Sequence, residues 1–282
     1  MTLVLLFFLV FGCAISGGLA FCLGNPKREL LSFLKKHDLN EPKRDFEYLE
    51  TMIYAKVDTL IRETPNLYAR RLGIETLLST PGFLDGEWKN IFNSFLPSSR
   101  VSLKNLFLER DIRQSNSCKE IVKILDVKEY ITGVKATGAN TALPDVVSLT
   151  PVAIDNCVHF IFEKKSSKLA LHDDVHAVLI TKGYQQAFLL PDPSKQNSTP
   201  SAALFPAAVY RRTSWYEQDT ALLSSSVDGH AFDELVMPHD GVVVTKLVKP
   251  LHSQSWVVYL DMDLSITQTI DGRLSIMLKN EG

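Results

Sequence analysis

The sequence predicts an α+β protein: an N-terminal transmembrane helix, a helical stem and an antiparallel sheet. Three observations carry this. Residues 2–23, TLVLLFFLVFGCAISGGLAFCL, hold no charge. From Lys27 to about Asn116, apolar residues recur at helical spacing between proline and glycine breaks. From about Val146, short Val/Ile/Phe/Leu runs alternate with charged or Gly/Pro turns.

At about 1.5 Å per residue, a helix over 2–23 crosses a hydrocarbon core of about 30 Å. A secretory signal is the rival, but a basic n-region and a small-residue cleavage site are poorly represented. LAFC, ending at Cys22, resembles a lipoprotein processing site, with Phe21 where a small residue belongs. Residues 1–25 are therefore expected to be a retained, single-pass anchor, contacting the membrane through 2–23. Lys27, Arg28, Lys35, Lys36, Lys43 and Arg44 all follow the span, which by the positive-inside tendency favours a cytoplasmic body.

The stem is expected over residues 27–118. Its strongest element is RDFEYLETMIYAKVDTLIRE at 44–63, where Phe46, Leu49, Ile53, Val57, Leu60 and Ile61 share one helical face. Pro65 suits the start of a helix over NLYARRLGIETLLS, and further helices are expected at EWKNIFNSFL and at SLKNLFLERDIRQ, residues 102–114. Over 119–282, strands are expected at NCVHFIFEKKSSKLAL, HAVLITKGYQQAFLL, GVVVTKLVKPL and SWVVYLDMDL, with turns at KKSS, KGYQ and LHSQ. PDPSKQNSTPSAALFP, at 191–206, reads as a surface loop.

The chain of 282 residues carries 30 Lys+Arg against 32 Asp+Glu, which leaves no general cationic field for nucleic acid. Cys13 and Cys22 fall in the apolar span. Cys118 and Cys157 can form one disulfide in an oxidising compartment, or stand as two buried thiols. NST at Asn197–Thr199 fits a glycosylation acceptor.

No cofactor is expected. The seven histidines show no metal-ligand spacing beyond His172 and His176, a weak zinc pair, and no Gly-rich phosphate loop or GxSxG elbow occurs. VVYLDMDLSIT resembles the first motif of haloacid-dehalogenase-like phosphatases, where the first aspartate attacks phosphorus and the second handles the leaving-group proton. Only 21 residues follow Asp261, too few for that family's later motifs or for a glycosyltransferase acceptor site. An enzyme is not expected. The plainer reading of Asp261 and Asp263 is a strand end.

YRRTSWYEQ at 210–218, HDG at 239–241 and the run VVVTKLVKPLHSQSWVVYLDMDLS at 242–265 together resemble the Cache family of sensor domains, extracytoplasmic relatives of the PAS fold. The resemblance covers roughly residues 175–265. It implies a PAS/Cache-like sheet outside the cytoplasm, against the positive-inside reading, and a small polar ligand of the amino-acid or carboxylate class. It also implies the ligand-binding set Tyr210, Arg211, Arg212, Trp215, Tyr216 and Asp240. In this set Arg212 or Arg211 grips a carboxylate, Trp215 and Tyr216 wall the site, and Asp240 meets an amine. Thr213 and Ser214 separate Arg212 from Trp215 where the family often has one residue, so the arginine's register stays open between the two. Without a signalling module, occupancy would pass to a partner protein. The rival readings are an envelope assembly or scaffold subunit with no pocket, and a metal-dependent enzyme using Asp261 and Asp263.

Overall fold

The computed structural model describes residues 25–37, 46–63, 77–78, 80, 82–94, 100–108, 120–133, 147–148, 151–164, 173–189, 209–222 and 244–280. The chain forms two compact units, one holding the two helices and the other all the strands.

In the first unit, α1 spans Pro26–Lys36 and α2 spans Phe46–Glu63. Asn25 caps α1, its side-chain oxygen accepting from the backbone N–H groups of Lys27 and Arg28, and Pro26 occupies a first-turn position that needs no N–H partner. Leu30, Leu34, Leu49, Ile53, Val57 and Leu60 are buried, as the spacing of three and four predicts for α2. Lys56 lies 3.8 Å from Glu29 and sits over the Phe33 ring.

The second unit is a closed barrel. Its strands are β1 (Gly86–Asn93), β2 (Arg100–Ser102), β3 (Ile121–Gly133), β4 (Val147–Ser148), β5 (Val152–Phe162), β6 (Val175–Leu189), β7 (Val209–Leu222), β8 (Val244–Leu260), β9 (Leu264–Gln268) and β10 (Leu274–Lys279). The short strands β2 and β4 hang on β3 and β6. The other eight follow one another antiparallel as β1-β3-β5-β6-β7-β8-β9-β10, and β10 pairs back onto β1. Closure gives every one of these strands two neighbours and so removes the open sheet edge.

Side chains alternate between lumen and outer face. Two apolar clusters fill opposite halves of the interior. One joins Val122, Ile124, Val158, Phe160, Phe162, Val175 and Leu179 to Leu103 and Phe107 from the 100–108 segment. Gln218 pins that segment: its amide donates to the Leu106 carbonyl and to Thr181, and its oxygen accepts from the Leu108 N–H at 2.7 Å. The other cluster joins Trp88, Ile131, Ile154, Ala187, Val209, Val257, Leu260 and Met277.

This architecture corrects the expected α+β fold. The protein is mostly β, and the stem over 27–118 does not exist as such: EWKNIFN is β1, and residues 103–105 form a single 3-10 turn. Amphipathic β1 fits a helical or a strand period over so short a stretch, and only the two partners that closure provides decide it. Because the sheet recruits β1, which precedes residue 119, and closes into a barrel, it is not the expected PAS/Cache-like sheet of an α+β fold, and the sensor and signalling labels drawn from that resemblance have no support in the barrel. Among the described residues no helix is long and apolar enough to cross a membrane, and the expected anchor at 2–23 lies outside them.

Two expected turns are also corrected. KGYQ lies inside β6 and LHSQ inside β8, each one long strand. Trp215 pairs with Leu251 and Glu217 with Lys246, so residues 247–250 of β8 bulge away from the ladder, and Pro250 falls where no ladder N–H is required. Gly183 is required in β6 because a Cβ there would lie 2.8 Å from the Ser214 carbonyl oxygen and 2.8 Å from the Trp215 ring.

Gly183→Ala should therefore cost about 1–3 kcal/mol of stability in equilibrium urea unfolding. Adding Trp215→Leu should not restore it, since the Ser214 carbonyl clash remains.

Candidate functional site

The interior between the two apolar clusters is polar, and β7 supplies its key residue. Along this strand Val209, Arg211, Thr213 and Trp215 alternate with Tyr210, Arg212, Ser214 and Tyr216. Arg211 and Thr213 are buried whereas Arg212 is exposed. Arg211 stands opposite Ala187 and Trp215 packs against the same apolar cluster, which fixes this set as the lumen-facing one. A register shift between Trp215 and Glu217 then turns Gln218 and Thr220 inward. Gln185 from β6 donates to Thr213, and the Trp215 indole N–H donates to Ser253 of β8 at 3.2 Å.

The opposing wall comes from β3 and β5. A bulge between Ile124 and Asp126 shifts the alternation, so Val127, Glu129 and Ile131 face inward while Lys128 and Tyr130 face out. Glu129 pairs with Trp88 of β1 on one side and Asn156 of β5 on the other. Glu129 is half-buried, as are the inward-facing Val127, Asn156 and Trp215.

The electrostatics of this layer are unusual. Arg211 is 5% exposed, and its Nε and Nη2 have no hydrogen-bond partner; the Oδ1 of Asn156 is likewise buried and unpaired. Desolvation pushes the Glu129 carboxyl up to about 7, against the attraction of the Arg211 guanidinium. Desolvation lowers Arg211 to about 10, opposed by Glu129, so the arginine remains cationic at neutral pH. A buried guanidinium with two unused donors costs free energy that an anionic acceptor would recover.

Of the residues expected to bind ligand, the barrel brings Arg211 and Trp215 to the lumen. Tyr210, Arg212 and Tyr216 face outward: Tyr210 packs edge-on against Trp256, and Tyr216 stacks on Tyr184. Asp240 lies outside the described residues. Glu129 and Asn156 were missed. In IVKILDVKEYITG simple alternation sets Glu129 on the face opposite Val122 and Ile124, and only the bulge returns it to the apolar face.

Asp261 and Asp263 form the β8–β9 turn. Asp261 Oδ1 accepts from the N–H groups of Asp263 and Leu264, and its Oδ2 accepts from the Tyr259 hydroxyl at 2.8 Å. Cys157 carries a free thiol on the outer face of β5, pushed up to about 11 mainly by burial, and Cys118 lies outside the described residues. His172 lies outside them too. His176 instead approaches His159, with ring nitrogens 3.4 Å apart. Among the described residues no three His, Cys, Asp or Glu side chains are grouped to hold a metal ion.

Comparison with known proteins finds no matching family model, no matching curated protein and no matching solved structure.

Glu129 gives the unliganded protein a defined pH dependence. Its folded value, about 7, lies above the usual 4.5, so in that window the folded chain holds a proton that the unfolded chain has released. Stability should fall as pH rises from about 4.5 to about 7, by on the order of 3 kcal/mol, and level off above. Urea unfolding across this range should lose that slope in Glu129→Gln; an unchanged slope would mean that Glu129 is not the desolvated group.

Proposed function

We propose that the protein binds one small carboxylate-bearing molecule inside the barrel, with Arg211 gripping the carboxylate. The observation that carries this reading is the pair of buried, unpartnered donors on Arg211. Nε and Nη2 are the two donors of a guanidinium that lie parallel along one side and match the two oxygens of a carboxylate. Arg100 uses the same two atoms to hold Glu163 at 2.9 and 3.0 Å. Inside the lumen Arg211 offers that fork with no protein carboxylate in it.

Eight strands make a barrel whose interior is either filled by side chains or holds one small ligand. The buried, unpartnered polar atoms of Arg211 and Asn156 on its inner face favour the second. Trp215 supplies an aromatic wall held by Ser253. A carboxylate suits the site better than a phosphate dianion, since one guanidinium balances one charge and the ionisable Glu129 faces it. The uncharged run at residues 2–23 supports placing this binding protein at a membrane.

The test is a thermal-shift screen of the full-length chain in non-ionic detergent against small mono- and dicarboxylates, amino acids and phosphate esters. A ligand at 100 times its dissociation constant should add about 2.7 kcal/mol. Arg211→Met should fold and lose the shift, while Arg212→Met, on the outer face, should keep it. Absence of any carboxylate effect on folded protein, or loss in the Arg212 variant alone, would refute the reading and favour a scaffold without a ligand.

A further inference from the structure

We infer that Glu129 and Asn156 form a second pole of the lumen site, facing the Arg211 fork, which receives an amine, so that the ligand is a zwitterion. This rests on the reading of Arg211 as the carboxylate anchor.

The two poles come from non-neighbouring strands, with β5 and β6 standing between β3 and β7 on the shorter way round the barrel. Glu129 and Asn156 are direct cross-strand partners on the inner face, which places their Cβ atoms about 4.5–5.5 Å apart. Arg211 can only donate, whereas an ionised Glu129 and the Asn156 oxygen can only accept. The Asn156 oxygen is buried without a donor, as the Arg211 nitrogens are buried without an acceptor. One wall thus lacks an anion and the other lacks a donor. A simple carboxylate would fill the fork, leave Asn156 unpaired and add negative charge opposite Glu129. A molecule with a carboxylate at one end and an ammonium at the other satisfies both walls.

The surroundings of Glu129 make this choice measurable. Trp88 on β1 and Asn156 on β5 are uncharged, and Arg211 is the cation acting on it. On its own strand, Lys128 points outward and is paired with Glu87 at 2.7 Å. Lys279 of β10 pairs with Trp88, and its ammonium donates to the Phe83 carbonyl. An arriving ammonium lowers the affinity of Glu129 for its proton, so binding near neutral pH releases a proton to buffer. A second carboxylate arriving there would raise that affinity and take a proton up. The sign of proton exchange reports the charge of the ligand's far end.

The experiment is isothermal titration calorimetry on the full-length chain near pH 7, in buffers of differing ionisation enthalpy. The probes are α- and ω-amino acids of increasing chain length, each matched with its deamino acid and with the dicarboxylate of the same length. At least one amino acid should bind about tenfold or more tighter than its deamino analogue and release a proton. Glu129→Gln should abolish both the preference and the proton release, in part by tightening the deamino acid once the facing charge is gone; Asn156→Leu should weaken the preference without removing the proton release. If deamino acids or dicarboxylates bind as tightly, or bind with proton uptake, the second pole is refuted while the Arg211 anchor stands. If no carboxylate binds to the folded protein, the anchor and the second pole fail together.

Discussion

The pairing of β1 with β3 is the contact on which the rest of the molecule depends. Without it β1 would be unpaired on this side, β3 would keep only the three-residue β2 there, and the remaining order would be an open meander. The same ladder sets Trp88 opposite Glu129, and the inner face that buries the indole therefore also carries the carboxylate inward. A one-residue slip would turn Glu129 outward and bring Lys128 into the lumen. Outer-face ion pairs oppose such a slip, since Lys128 meets Glu87 only in the observed register.

Closure also explains why the interior can hold polar groups at all. Apolar side chains gather in two clusters, and the inner face also carries the polar residues Thr181, Gln185, Arg211, Thr213 and Gln218, all buried. Some of its polar residues satisfy one another, as Gln218 does with Thr181 and the 100–108 segment. Arg211 and Asn156 are not satisfied in this way. Buried polar groups without partners are rare in folded proteins, and where they occur they call for an explanation. A ligand that completes them accounts for both residues and for the raised Glu129 carboxyl at once.

Much of the sheet was legible in the sequence where the pattern was local. The α2 stripe is visible because it keeps one helical period, and β5 because its Val, Ile and Phe residues run together in the chain. β9 and β10 do not stand out as separate strands, since each is short and buried on both parities. β1 reads as a helix because its eight residues cannot separate the two periods, and the partners that settle the matter, β3 and β10, lie far along the chain. β6 and β8 were each split at a polar or Gly/Pro stretch. In β6 the glycine is present because the Ser214 carbonyl and the Trp215 ring lie against it, and in β8 the proline sits in a bulge, both consequences of a neighbour rather than of a turn. For the site, alternation along YRRTSWY separates Arg211 from Arg212 only once the strand's buried face is known. Glu129 required the position of a bulge, which no local pattern marks.

The most direct test of the central claim is a high-resolution crystal structure of the protein without added ligand near neutral pH. The account predicts that the Nε and Nη2 fork of Arg211 opens onto the lumen and holds solvent or a small anion, with Glu129 facing it from β3. A structure in which Arg211 is joined to Glu129 in a direct bidentate pair, with apolar side chains filling the space between, would contradict it.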